Sequence, residues 1–267
     1  KVMIVSTPHG MNMFYKMWVD ATNKKNDYVP TEVHWSEVPG RDEAWKEQTI
    51  RNTSLEQFQT EFECEFLGSV DTLINPSKIK TMAVIDPKRS PMGLDVYEMP
   101  IKTHTYTMTV DVSRGLSNDY SAFCIVDVTQ TPYKLVAKFR DNEIKPLLFP
   151  SVIEKVAKIY NNAFVLVEIN DLGQQVADNL QFELEYDNMM MVTQRGRSGQ
   201  VLGGGFSGRG NQLGLRMTKG TKKIGTSNMK SLIEGDKLVI NDFDVIAELS
   251  TFISKGKSFE AEAGATD

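Results

Sequence analysis

Asp111 ends the alternation "TYTMTVDV", in which Tyr106, Met108, Val110 and Val112 fall on one face and Thr105, Thr107, Thr109 and Asp111 on the other. An isolated carboxylate in such a run is costly to bury without a partner. Glu168 closes a second apolar run, "AFVLVEIN", a continuous stretch that reads as a doubly covered central strand. If the two runs are neighbouring strands, the two acids lie side by side. Paired carboxylates repel unless a proton or a cation relieves them, and magnesium prefers hard oxygen ligands. A third acid, Asp267 in "GATD", follows a Gly-Ala turn at a Thr/Asp helix start and would complete an Asp, Glu, Asp set. Taken singly, Asp111 reads as a strand-end aspartate satisfied by turn N–H groups and Asp267 as a frayed end; the second acid tips the balance toward cation chemistry.

The rival acids have plainer explanations. Asp119 sits in a Ser-Asn-Asp turn, where such residues are expected for backbone reasons. Asp127 ends a strand and is expected to face solvent, and Asp171 is placed to cap a helix. With only His9, His34 and His104 present, H-E-x-x-H zinc sites and a histidine triad in the second half of the chain are excluded. Cys64 and Cys124 are too few for a disulfide framework and read as small buried residues.

Charge is unevenly distributed. The net charge is −5, yet residues 188 to 233 contain eight basic residues and no acidic one: Arg195, Arg197, Arg209, Arg216, Lys219, Lys222, Lys223 and Lys230. A local electropositive stretch in an acidic chain is the pattern of a phosphate-facing surface. Ten glycines fall between residues 196 and 225 without forming G-x-x-x-x-G-K-[ST], so the segment is not a nucleotide P-loop. It reads as a flexible basic loop able to order on a nucleic-acid backbone.

The elements that must hold these groups follow from periodicity. Strands are predicted over 104–112, 120–128 and 133–140, close enough for an antiparallel meander, followed by a helix over 150–160 with Val152, Ile153, Val156, Ile159 and Tyr160 on one stripe. Next come the strand "AFVLVEI", a helix over 171–183, a short strand "NMMMVT", a helix over 227–234, the strand "KLVI" and a helix over 242–254. Three meandering strands followed by helices alternating with strands is the layout of a ribonuclease-H-like α/β fold. Upstream, Val2 to Val5 reads as a buried strand leading through a Ser-Thr-Pro-His-Gly turn into a helix with Met13, Phe14, Met17 and Trp18 at helical spacing. Two further helices, "DEAWKEQTIRN" and "SLEQFQTEFECEF", follow, the second capped by Ser54 with Leu55, Phe58 and Phe62 on one face.

At 267 residues, 40% hydrophobic and 24% charged, the chain has the composition of a soluble globular protein of one large or two small domains. It shows no membrane span and no secretory leader, and the expected setting is cytosolic. Periodicity fades around residues 68 to 100, which places a first domain at 1–67, a linker at 68–76 and a second domain at 77–267.

Several stretches together resemble the large subunit of tailed-phage DNA-packaging terminases, T-even type. "IVSTPHGMNMFYKMW" is similar to the segment after the Walker B strand of the motor ATPase, and "FECEFLGS" to the end of that ATPase. "VDVSRGLSNDYSAFCIVD" and "VLVEINDLG" are similar to the first two acidic motifs of the nuclease, and "TKKIGTSNMKSLIEGDKLVI" with "GATD" to the approach to the third. The resemblance implies an α/β fold with a ribonuclease-H-like mixed sheet of the RuvC/integrase type flanked by helices, preceded by a fragment of a P-loop ATPase domain. It further implies a Mg2+-dependent endonuclease that cuts concatemeric viral double-stranded DNA during headful packaging. Asp111 and Glu168 match the family's first and second metal-binding acids. Asp267 falls in the third motif, where the family has two adjacent aspartates and this sequence shows one. Ser6 and Thr7 match the motif that couples ATP hydrolysis to movement; with the Walker A loop and Walker B acids absent from this sequence, no ATPase activity is expected. The implied partners are double-stranded DNA and, in the full-length protein, the portal and the small terminase subunit, in an oligomeric motor that needs the full ATPase domain. The implied setting is the host cytoplasm.

In this reading two Mg2+ ions roughly 4 Å apart, with Mn2+ able to substitute, activate a water and stabilise the leaving 3′ oxygen. Asp111 would bridge both ions, Glu168 would hold one and Asp267 the other. The Lys and Arg side chains between 195 and 230 would grip phosphates, giving little sequence preference. Two competitors share the residues: a junction-resolvase or transposase-like nuclease, and a non-catalytic module that docks on DNA or the portal.

Overall fold

The computed structural model describes residues 2–8, 10, 12–66, 72–116, 119–194, 200–202, 211–255 and 258–261. The chain divides into two compact units, Lys1–Thr81 with Phe243–Asp267, and Met82–Asp242. The sequence-based boundary falls instead at a linker over 68–76, and it assigns residues 243–267 to the second domain.

In the first unit four short helices follow one another: α1 (Met13–Thr22), α2 (Glu43–Asn52), α3 (Leu55–Glu61) and α4 (Pro76–Thr81). Asn12, Asp42 and Ser54 cap the first three through side-chain oxygens that accept a backbone N–H three residues on, which is why each begins where it does. Trp35, Trp45, Phe58 and Phe62 pack ring against ring beneath α2 and α3, with Phe58 fully buried. Leu55, predicted to share that face, is exposed. The predicted strand at Val2 to Val5 does not form: these residues are non-regular and exposed, and among the described residues no strand pairs with them. An apolar run becomes a strand only when a ladder and a covering surface meet it.

The second unit is built on a seven-stranded mixed sheet. Its strands are β1 (Lys88–Arg89), β2 (Asp95–Val96), β3 (Tyr106–Asp111), β4 (Ser121–Asp127), β5 (Tyr133–Asp141), β6 (Phe164–Val167) and, further along, β10 (Leu238–Val239). The order is β1-β2-β5-β4-β3-β6, with β10 parallel to β5 at its other end. The three predicted meander strands form as expected, β3 to β5 running antiparallel, and β6 returns parallel to β3. That return is made by α5 (Phe149–Ile159), whose Ile153, Val156 and Ala157 pack on the core face. Of its predicted stripe, Ile159 is exposed.

Burial in β3 alternates as predicted, with Tyr106, Met108 and Val110 at 3% exposure or less. β6 departs from expectation: it alternates too, Val165 and Val167 being buried while Phe164 is exposed, so it is covered fully on one face only. Cys64 and Cys124, read as buried, are each half-buried.

After β6 come α6 (Gly173–Asp178) and one π-helical turn over Asn179–Glu183, as predicted. The strand "NMMMVT" is realised as β7 (Met191–Gln194), the centre of a separate three-stranded sheet with β8 (Gln200–Leu202) and β9 (Asn211–Leu213). The largest correction is α7 (Lys219–Glu234), which starts eight residues before the predicted 227. Thr218 and Thr221 form a reciprocal capping box that nucleates it, and this outweighs Gly220 and Gly225. The last helix, α8 (Phe243–Thr251), belongs to the first unit and ends before the predicted 254; residues Phe252–Lys255 form β11, paired in a hairpin with β12 (Ser258–Ala261). There Phe252 and Ile253 are registered with Ala261 and Glu260, and the Phe252 ring stacks on its diagonal neighbour Phe259.

Candidate metal and nucleic-acid site

Asp111 and Glu168 lie at the same end of the main sheet on adjacent strands. The parallel register pairs Thr109 with Leu166 and Val110 with Val167, and the Glu168 N–H donates to the Val110 carbonyl at 2.8 Å. One further step opposes Asp111 and Glu168. Because Val110 and Val167 face the core, both acids project from the opposite face.

Glu168 is clamped from its other side by the segment that follows β9. Leu215 N–H donates to the Val167 carbonyl and Ile169 N–H to the Leu215 carbonyl, while Asn170 and Met217 exchange hydrogen bonds through the Asn170 amide. Two glycines allow this close packing. A Cβ on Gly214, which has φ +73°, would come within 2.3 Å of the Val167 carbonyl oxygen. One on Gly173 would come within 1.7 Å of the Glu168 carbonyl oxygen. Neither glycine nor Asn170 stands out as functional in the sequence; the signal is the "EINDLG" spacing, which puts Asn170 two residues and Gly173 five residues after the acid.

The electrostatics of the pair are unfavourable without a cation. Burial raises the Glu168 carboxyl above its ordinary pKa, the Asp111 charge raises it further, and Lys222 offsets part of this. Asp111 accepts the N–H of Val112 at 2.8 Å. Two hard, like-charged oxygen donors, one of them pushed up by the other, fit a divalent cation by the chemistry of the set. Among the described residues no group of three or more His, Cys, Asp or Glu side chains is positioned to hold an ion. Asp267 lies outside the described residues.

The rival acids are accounted for. Asp171 pairs with Arg114 at 2.9 Å on the surface and Asp119 is exposed. Asp127, expected to face solvent, is instead 8% exposed. It accepts hydrogen bonds from the Thr129 N–H and hydroxyl and contacts His104. The predicted phosphate-binding residues divide. Arg195, Arg197 and Arg209 lie outside the described residues. Arg216 is exposed just before the α7 cap; Lys219 and Lys223 are exposed, and Lys222 half-buried, in the first turns of that helix. These three lysines thus stand on a helix N-terminus rather than in a loop, where backbone N–H groups add to the attraction for anions, and of the three Lys222 acts on the Glu168 carboxyl. Ser6 and Thr7 are exposed in the first unit, with the Ser6 hydroxyl donating to the Thr7 carbonyl.

Comparison with known proteins matches residues 108–267 to the family described as "Terminase RNaseH-like domain" and residues 1–81 to "Terminase large subunit, T4likevirus-type, N-terminal". Among solved structures, the large terminase nuclease of thermophilic phage G20c with bound cobalt aligns at 17% identity and a TM-score of 0.56, covering 74% of this chain and 92% of that one. The same nuclease with bound magnesium aligns at 17% identity and 0.55, covering 74% and 91%. At such identity the likeness speaks for the fold, and the two family matches speak for descent. The chain therefore belongs to the phage terminase large-subunit family, and residues 108–242 of its second unit lie within the match to the ribonuclease-H-like domain.

Proposed function

We propose that this protein is a divalent-metal-dependent endonuclease that cuts double-stranded viral DNA during genome packaging, with Asp111 and Glu168 as cation-holding acids and Asp267 as their third partner. The observation that carries the reading is the opposed pair itself, two acids on adjacent strands with Glu168 raised by burial and by Asp111. A divalent ion held there, Mg2+ in the first instance and in two copies, would supply Lewis-acid activation of water and stabilisation of the leaving oxygen. The chain's own residues do the rest. Asn170, Gly173 and the 213–217 segment fix the Glu168 backbone, so its carboxylate is aimed before substrate arrives. Lys219, Lys222 and Lys223 hold phosphates next to the acids through charge and not base identity, so weak sequence preference and a steep salt dependence follow. Portal and small-subunit contacts, and the ATP coupling for which Ser6 and Thr7 are candidates, belong to the complete motor.

The test is cleavage of supercoiled plasmid at low salt with Mg2+, Mn2+ or EDTA. Metal-dependent nicking and linearisation, lost in folded Asp111→Asn and Glu168→Gln, are expected. Cleavage that persists in EDTA, or in both variants, refutes the reading. Plasmid binding without cleavage in any metal would favour the docking alternative.

A further inference from the structure

A row of side chains crosses the sheet at the height of the acids. Asp111 is registered with Ala122 on β4, and Ala122 with Arg140 on β5. Their chain neighbours Val110, Phe123 and Phe139 are buried in the core, so Asp111, Ala122 and Arg140 project from the same opposite face. With strands about 4.8 Å apart, the Arg140 backbone lies about 10 Å from that of Asp111. The intervening side chain is a single methyl. The Arg140 guanidinium sits 3.8 Å from the centroid of the Tyr120 ring, which immediately precedes β4. Stacking on a ring restrains a planar guanidinium, a group whose fork of N–H donors matches phosphate oxygens two at a time. The next basic residue along β5 differs: Lys138 is buried and pairs with Asp242 at 2.6 Å, so it serves the interior. Arg140 is half-exposed.

We infer that Arg140, restrained by Tyr120, is a DNA-phosphate contact on the flank of the acidic pair opposite α7. The inference rests on the nuclease reading above. The order across the site is then Lys222, Glu168, Asp111, Ala122, Arg140, a cation on either side of the acids. A backbone whose scissile phosphate lies over the acids has neighbouring phosphates on both sides, and each flank meets one.

The experiment is binding of a duplex of about 30 base pairs in Ca2+ from about 50 to 200 mM salt, with plasmid cleavage in Mg2+ measured in parallel. Arg140→Gln is expected to weaken binding roughly tenfold at low salt and to lower the slope of log affinity against log salt by about 0.9, one phosphate contact. Arg140→Lys should retain the slope, and Tyr120→Leu should weaken binding with the slope kept. Wild-type binding and cleavage together with an unchanged slope in Arg140→Gln overturn this inference and leave the nuclease reading standing. A slope lost equally in Arg140→Lys overturns it too, since the effect would then be one of packing. A wild type that neither binds nor cuts overturns both.

Discussion

The main sheet carries acids at both ends, and they are treated in opposite ways. At one end Asp127 is buried among donors: burial alone would raise its carboxyl, but hydrogen bonds from Thr129 and His104 outweigh that and hold it below its ordinary pKa. At the other end Glu168 is raised by burial and by Asp111, and among the described residues no hydrogen bond or ion pair holds its carboxylate. A structural carboxylate is surrounded by groups that favour its charge. A carboxylate set beside another acid, with only a partial offset from Lys222, has its charge disfavoured, and the proposed function assigns the missing compensation to a divalent cation.

The sharpest way to break this contrast is to neutralise each acid separately. Asp111→Asn and Glu168→Gln should each lower plasmid cleavage on the order of a thousandfold while leaving the fold intact; retention of cleavage would place the chemistry elsewhere. Gly173→Ala drives a methyl into the Glu168 carbonyl, and should cost about 1–3 kcal/mol by denaturant titration as well as most of the cleavage, because the displaced group is the acid's own backbone. At the other end, Asp127→Asn should cost about 2 kcal/mol at neutral pH and leave cleavage near wild type. The pH sign follows from the depressed value: the Asp127 contribution is present above the unfolded pKa and disappears as pH falls through the folded one, so the cost should vanish in acid. The smallest effect has the reverse sign. Glu168 has a raised folded pKa, so its favourable contribution is confined to acid and lost as pH rises through that value. Glu168→Gln should therefore stabilise the protein by about 0.5–1 kcal/mol near neutrality, with no gain in acid, as thermal melts across pH would read.

Much of the second unit was legible in sequence because its signals are local. Strict alternation in β3 told which face Asp111 occupies, and the apolar stripe of Val152, Ile153 and Val156 marked the helix that separates β5 from β6. The errors share one cause. Val2 to Val5 has strand composition, but a strand is a pairwise object and its ladder is absent among the described residues. Residues 252–254 fall in the predicted helix over 242–254, yet the hairpin partner at 258–261 claims them for β11. The α7 start was hidden because glycine count argued for a loop, while the Thr218–Thr221 capping box, visible in hindsight, supplied the nucleus.

By itself the sequence determined that the second half has no histidine to offer and that residues 188 to 233 form a stretch with eight basic residues and no acidic one. It also determined the core face of the first acid-bearing strand through a period of two. Only the tertiary structure decided which acids meet. The register between β3 and β6 sets Glu168 against Asp111, the closing of Asp127 by His104 and Thr129 removes a rival, and the bridge at Leu215 precedes the start of α7, whose Lys222 acts on Glu168. Those facts depend on contacts between residues tens of positions apart, and such contacts are set by packing and hydrogen-bond register, to which local residue patterns are blind.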